Sequence, residues 1–396
     1  MEIATSVSWG NRKYLIPYEH NNALLWTLTN YPLTFISGFF TFFCSILDTF
    51  LIMDTTKIAN KIYLVFFSLF IVLLMAKCQS PKPVETDLQI PDAFEQNKRL
   101  GGGANVGSIL YRWDTWDEER EIEELEKMKA LGLKGVRINT RPYLHAEENP
   151  PYTLSEKFFK RLDWLIKESL DRGFTVIIDQ HQYRVMGKDP MALHDIFVET
   201  WRQMAEHYKD YPDNVYFGLL NEPNNNLTPY LWNYFLMDVY EILRESNPSR
   251  TLVIGPGNWN KIYELETLKL PEEDRNIIVE IHFYNPHAFT HQGVSGRETG
   301  VIWPASPEEI QALEDEFKFA AEWGKKHNRP LFLGEFGVNK AADEESAARW
   351  LRSAREQMEK YEMSWSMWNL MGSNFGMYDE EKKEWIMTRK SAVMLE

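Results

Sequence analysis

From Leu100 onward, short apolar runs rich in β-branched residues alternate with longer stretches whose apolar positions recur every three or four residues. The short runs fall at 103–107, 135–139, 175–179, 215–220, 251–254, 277–282, 331–334 and 364–368. The longer ones fall at 118–131, 155–172, 191–208, 229–246, 307–327 and 343–361, with shorter helical patterns at 262–268 and 388–395. Runs this short with few polar interruptions suit strands covered on both faces, and helices between successive strands make them parallel. The alternation predicts an α/β fold, a single (β/α)8 TIM barrel.

Local signals agree with this division. Ser155 precedes a helical pattern with Leu154 just ahead of it, and Gly173 follows the same pattern where a helix stop is wanted. Gly132 does the same for the first helix. The acidic stretch 117–126 carries Ile122 and Leu125 among mixed charges, so it reads as the solvated face of a helix. No internal repeat and no Gly/Ser- or Pro-rich linker divides the body, so one domain is expected over residues 94–396.

The head is different. Two apolar stretches, 33–47 and 62–76, precede the body, and the second is free of charge between Lys61 and Lys77. That length is short for a membrane span and suits a signal-peptide core. Cys78 follows, then Gln-Ser-Pro-Lys-Pro. The order resembles a bacterial lipoprotein signal, in which the Cys becomes the lipidated N-terminus, although Lys77 stands where such signals carry a small residue. A signal belongs at a chain start, and Met53 opens a basic n-region, so translation is expected to begin there. The other reading makes both stretches membrane helices. The predicted organisation is a non-globular head over 1–78, a linker over 79–93 and the barrel over 94–396. The protein is expected to be exported, either secreted or held at the cell envelope by the N-terminal segment or a lipidated Cys78.

Composition narrows the partners. Of the 396 residues 44% are hydrophobic, ample for a barrel core, and 14% are aromatic with 14 Trp. Aromatic faces suit sugar rings, but a core position explains any single Trp equally well. Net charge is −15; six of the 43 basic and six of the 58 acidic residues lie before Ile90, so the body carries the whole imbalance. An acidic body is a poor match for nucleic acid or an anionic bilayer. A neutral polymer remains compatible. Cys44 and Cys78, the only cysteines, are both in the head, so the body has neither a disulfide nor a thiolate metal site. A barrel of this size buries enough surface to be stable without them, and a monomer is expected.

In a parallel barrel the chemistry gathers where the strands end. The run ends here offer Arg137, His181, Glu222 within Asn221-Glu222-Pro223, His282 and Tyr284, Glu335 within Gly334-Glu335-Phe336-Gly337, and Trp368. Runs four and seven face each other roughly across the mouth, so two carboxyl groups would meet there. Glycoside hydrolysis needs such a pair, one to protonate the leaving oxygen and one to attack the anomeric carbon. Arg137 near Glu335 would keep the attacking group ionised. A metal-dependent barrel hydrolase usually carries His-x-His in its first strand, and 103–107 contains no His. A non-catalytic sugar-binding relative would have lost one of the two Glu.

These motifs, with Gly103-Ala-Asn-Val-Gly107, closely resemble glycoside hydrolase family 5, whose retaining cellulases and mannanases place the acid/base on strand four and the nucleophile on strand seven. The likeness runs from about Phe94 to the end. The stretch Phe289-Thr-His-Gln-Gly293, with Pro-Glu-Glu-Asp from Pro271 and Asn276-Ile-Ile-Val before it, is similar to a subgroup of bacterial endo-β-1,4-glucanases. The resemblance implies Glu222 as acid/base, Glu335 as nucleophile and Arg137 holding the nucleophile. It also implies His181 lining the −1 subsite, Asn221 on the sugar 2-hydroxyl, His282 near the acid/base, Tyr284 near the nucleophile and Trp368 as the floor. Asn105, Gln182, His145, Trp259 and Trp303 are implied as subsite contacts. No metal or other cofactor is implied. The substrate is a β-linked polysaccharide or oligosaccharide, with endo-β-1,4-glucanase first, endo-β-1,4-mannanase second and dual action between them. Gln182 stands where the family commonly has His, and Asn369 where many relatives have Glu, and both bear on substrate choice.

Overall fold

The structure, a computed structural model, describes residues 7–9, 12–14 and 92–394 apart from 107–116 and 373. The chain divides into two units, Met1–Thr86 and Asp87–Glu396. In the first, Val7–Trp9 and Arg12–Tyr14 form a small antiparallel hairpin. The apolar stretches 33–47 and 62–76, Met53, Cys78 and residues 79–91 of the expected linker 79–93 lie outside the described residues. Among the described residues no helix is long and apolar enough to cross a membrane.

The second unit is the expected barrel. Its strands are β1 (Gly102–Val106), β2 (Gly135–Thr140), β3 (Thr175–Gln180), β4 (Val215–Gly218), β5 (Leu252–Ile254), β6 (Ile277–Phe283), β7 (Leu331–Phe336) and β8 (Ser364–Met367). They pair in chain order, all parallel, and β8 returns to β1 to close the ring. Helices α1 (Ala93–Leu100), α2 (Glu118–Ala130), α3 (Glu156–Asp171), α4 (Tyr183–Lys188), α5 (Pro190–Tyr208), α6 (Pro229–Ser246), α7 (Pro307–His327), α8 (Glu344–Lys360) and α9 (Met387–Val393) accompany it.

The helices form for legible reasons. In α3, Phe158, Leu162, Leu165 and Ile166 recur at helical spacing and are all buried. The Ser155 side chain caps its start by accepting from the Phe158 amide at 3.3 Å. Gly173 and Gly132, at φ 85° and 72°, end α3 and α2 in the left-handed conformation that glycine adopts without a Cβ penalty. The pattern at 262–268 is a 3-10 helix, Ile262–Thr267, rather than an α-helix. Helix α1, which begins where the barrel was expected to start, closes the bottom of the barrel. Its Ala93 and Leu100 join Ile177, Tyr216, Val253, Ile278 and Phe332, one residue from each of β3 to β7. The Tyr216 hydroxyl donates to the Gln96 carbonyl at 3.0 Å.

Strand alternation carries this plug upward. Two residues above it, facing the same way, come Asp179, Glu280 and Gly334. A third step on β6 brings His282. On β7 strict alternation from Phe332 would turn Glu335 outward with Leu333. A register irregularity opposite Ile281/His282 prevents that: Ile281 pairs with Leu333, but His282 pairs with Glu335. The extra residue, Gly334, is a β-bulge that turns Glu335 to the mouth.

Candidate active site

Glu222 stands on the turn after β4 with φ 44°, a sparsely populated conformation for a residue with a Cβ. The carbonyl of the next residue, Pro223, accepts from the Trp259 amide at 2.9 Å. Trp259 itself lies in a run of three left-handed residues, Asn258, Trp259 and Asn260, at φ 55°, 65° and 52°. The Asn258 amide donates to Glu264 Oε1 at 2.7 Å, which helps hold this turn. Strain at consecutive positions persists where surrounding structure over-determines it, and here it sets an indole beside the Glu222 turn.

Across the mouth, Glu335 accepts from the Tyr284 hydroxyl at 3.0 Å and from Arg137 Nη1 at 3.4 Å. The Arg137 guanidinium is buried and its remaining contacts fix it in place. Nη1 donates to Asn105 Oδ1 at 2.8 Å, and Nη2 donates to Asn221 Oδ1 at 2.8 Å and Asp179 Oδ1 at 3.0 Å. Nε stands 2.9 Å from Glu280 Oε1, yet it lacks hydrogen-bond alignment, so this contact is an ion pair without a directed bond. Asp179 also meets His181 Nδ1 at 2.9 Å, and the His181 ring stacks on Trp368 at 5.4 Å and 9°. His282 joins the two sides: Nδ1 is 2.9 Å from Glu222 and 3.8 Å from Glu335, and Nε2 is 3.3 Å from Glu280.

The charges are ordered by these contacts. Burial opposes a proton on His282, but Glu335, Glu222 and Glu280 raise its pKa to about 10, so the ring is an imidazolium at neutral pH. Burial also disfavours a charged Arg137, and Asp179, Glu280 and Glu335 more than offset it, holding it above its ordinary value. Asp179 would be raised by burial, yet Arg137 and His181 bring it below the usual carboxylate range. Burial pushes Glu335 upward, His282 pulls it back and Glu222 adds to the rise. The donors Arg137 and Tyr284 both point at Glu335 and favour its charged form.

These groups line one cleft of about 770 Å³ together with Trp259, His181 and Trp368. An oxygen of Glu222, one of Glu335 and His282 Nδ1 lie within 4.8 Å of one another. That spacing resembles a metal site, but here the three groups are engaged with one another through His282 Nδ1. A hollow of similar volume, about 780 Å³, lies on the flank between Glu118 and Tyr211, but the paired carboxyl groups are not there.

Most residues singled out from the sequence therefore meet at the mouth: Arg137, His181, Asn221, Glu222, Trp259, His282, Tyr284, Glu335 and Trp368. Four do not behave as expected. Asn105 is fully buried beneath Arg137, where it also donates to the Gly334 carbonyl at 2.8 Å, so it supports the guanidinium and cannot touch sugar. Trp303 is 1% exposed and packs near Phe289 in the core. His145 stacks on Phe158 at 5.6 Å, away from the cleft. Gln182 is buried next to His181 with neither amide atom hydrogen-bonded. Conversely, Asp179, Glu280 and Asn139 belong to the network and were not singled out. The signal was an acid or amide inside an otherwise apolar strand, as in Val279-Glu280-Ile281, which costs too much to bury without a partner.

A closed parallel barrel with two carboxyl groups this close at its mouth, and an indole and imidazole forming a flat wall beside them, is the architecture of a glycoside hydrolase. More particularly, the family model for cellulase (glycosyl hydrolase family 5) matches residues 102–374, and the chain belongs to that family. Endoglucanase H of Acetivibrio thermocellus is 30% identical over 307 residues, 76% of this chain and 32% of that protein, so the chain spans about a third of that relative. Endoglucanase C of the same organism is 26% identical over 338 residues, 74% of this chain and 95% of that protein. Among solved structures, an endoglucanase of the hyperthermophilic Thermotoga maritima is 39% identical with a TM-score of 0.72, over 77% of this chain and all of that one. Structures of the same Thermotoga enzyme in complex with cellobiose and with mannotriose match at 39% and 38% identity.

Proposed function

We propose that the chain is a retaining endo-β-1,4-glucanase in which Glu335 is the nucleophile and Glu222 the acid/base. The observation that carries this is the approach of the two carboxyl groups, an oxygen of each within 4.8 Å. Inverting enzymes keep their pair roughly 6.5–9.5 Å apart to seat a water, whereas retaining pairs stand about 5–5.5 Å apart. In the first step a Glu335 oxygen bonds to the anomeric carbon as the glycosidic carbon–oxygen bond breaks, and Glu222 gives its proton to the departing oxygen. In the second, Glu222 takes a proton from water, the water oxygen bonds to the anomeric carbon, and Glu335 is released. Arg137 and Tyr284 hold the Glu335 carboxylate in position as its charge is lost and regained. Trp368, stacked with His181, offers a flat face under the sugar.

A second substrate reading has specific support. The Thermotoga maritima relative is seen with both cellobiose and mannotriose. The two sugars differ in one hydroxyl orientation, a difference of a few hydrogen bonds, so action on mannan beside glucan is the alternative. Reducing-sugar release from carboxymethylcellulose, lichenan, glucomannan and xylan separates the cases, and NMR of the first-formed anomer tests retention. Release from xylan alone, or a first product of inverted configuration, overturns the proposal. Export is proposed from the 62–76 stretch and Cys78, with attachment to the cell envelope or secretion following. Mass spectrometry of the native N-terminus decides it, and an intact 62–76 stretch on the mature protein counts against cleavage.

A further inference from the structure

Glu280 is a fully formed carboxylate site without a role in the scheme above. It lies inside the barrel on β6 and is about 1% exposed. The strand around it, Ile277 to Phe283, is otherwise apolar except for His282. An unpaired carboxylate there would cost several kcal/mol, so its retention calls for strong partners. It has two. Oε1 is 2.9 Å from Arg137 Nε and 3.3 Å from His282 Nε2.

The barrel wall is shaped around it. A Cβ added to Gly334 would fall 1.9 Å from Glu280 Oε1, so the carboxylate occupies space that only glycine leaves open. Gly334 is also the bulged residue that turns Glu335 inward. One glycine thus seats the Glu280 carboxylate and aims the nucleophile.

We propose that Glu280 is a positioning residue of the hydrolysis, a buried counter-charge that grips His282 from behind and keeps it a donor toward Glu222 and Glu335. This role rests on the assignment of those two residues as the catalytic pair. An imidazolium donates from both nitrogens. Nε2–H meets Glu280, which leaves Nδ1–H for Glu222 at 2.9 Å with Glu335 at 3.8 Å. The same carboxylate ties His282 to Arg137, so the cation on the Glu222 side and the cation under Glu335 share one anchor. Among the described residues, other polar and charged groups facing His282 are few. The Asn260 amide lies 3.5 Å from Nε2, and the Lys261 backbone runs beside it in a β-bridge. Of the three carboxyl groups around the ring, only Glu280 is not consumed by chemistry, so only it holds the proton on His282 through the whole cycle. Its negative charge supports the raised His282 pKa together with Glu335 and Glu222.

Glu280→Gln keeps the shape and removes the charge. The His282 imidazole, followed by proton–nitrogen NMR in the full chain, should then titrate about one to two pH units lower than in wild type. The high-pH limb of kcat/KM should move down with it, because activity falls as His282 becomes neutral. Glu280→Asp keeps the charge one methylene further away and should recover part of both shifts; if the Gln variant does not fold, the Asp variant carries the test alone. An unmoved His282 titration in a folded variant overturns the proposal. So does an even loss of kcat with the pH profile in place, which would mean that Glu280 serves only the packing of Arg137. The NMR titration needs no substrate, so it reads Glu280 even if the assignment of Glu222 and Glu335 fails, and that failure appears separately in the anomer experiment.

Discussion

Replacing His282 by Gln tests the electrostatics of the site from its centre. The imidazolium is the strongest charge opposing the burial that raises the Glu335 pKa. Its Nδ1 is 3.8 Å from Glu335 Oε2. Two unit charges at that distance interact by roughly 4 kcal/mol at an effective dielectric of about 20. At about 1.4 kcal/mol per pH unit this bounds the change near three units, and relaxation of the vacated space brings it to about one to two. Glutamine can still donate to Glu222, so the loss is mainly of charge. Without the cation Glu335 is harder to ionise, and the low-pH limb of kcat/KM should move upward by that amount. The stability profile offers a second readout. The His282 pKa is raised in the folded state from an unfolded value near 6.5 to about 10. Its stabilisation is therefore complete below about pH 6.5 and fades as pH rises through about 10. His282→Gln should remove that fade while lowering stability at neutral pH by about 3–5 kcal/mol, because Glu280 loses a partner. The assays are kcat/KM and urea unfolding across pH 5 to 11, as about a dozen points each. A low-pH limb that stays in place, or moves down, refutes the charge assignment.

Three further outcomes follow from the same geometry. Glu335→Ala removes the attacking group, so activity should fall by about 10⁴-fold or more and azide should restore turnover with inverted product, whereas Glu222→Ala should still form a glycosyl-enzyme from substrates with good leaving groups and then stall; identical behaviour of the two variants in burst kinetics would undo the division of roles. Trp303→Ala should cost about 3–5 kcal/mol of stability by opening a core cavity, and calorimetry showing no change in Tm would place Trp303 back at the surface. Treatment with a chelator should leave hydrolysis intact, since Glu222, His282 and Glu335 are engaged with one another as acid, cation and nucleophile; a loss of activity reversed by added metal would contradict that.

Much of this protein was legible along the chain. The eight-fold alternation of strand and helix patterns defined the barrel, because a strand buried on both faces and an amphipathic helix have different apolar periods. In a parallel barrel all strands end at one mouth, so the residues closing each run named most of the site: Glu222, Glu335, Arg137, His181, His282, Tyr284 and Trp368. Hydrophobic content alone could not separate a tryptophan that lines the cleft from one that fills the core. Trp259 and Trp303 differ by a run of three left-handed residues in one case and by packing near Phe289 in the other.

What only the tertiary structure decided is which neighbours each polar group finds. Asn105 reads as a candidate sugar contact until the barrel closes and places it beneath Arg137. Strict alternation along β7 would turn Glu335 away from the mouth, and the bulge at Gly334 reverses that through pairing with β6, a strand some fifty residues earlier in the chain. Glu280 and Asp179 look out of place in apolar runs because the cation that pairs with both, Arg137, arrives from another strand, while His181 and His282 stand two residues further along their own runs. Local sequence governs periodicity, caps and turns, since these depend on residues a few positions apart. The protonation of His282 and the ionisation of Glu335 depend on charges brought together across a closed barrel, at distances that exist only once it has folded.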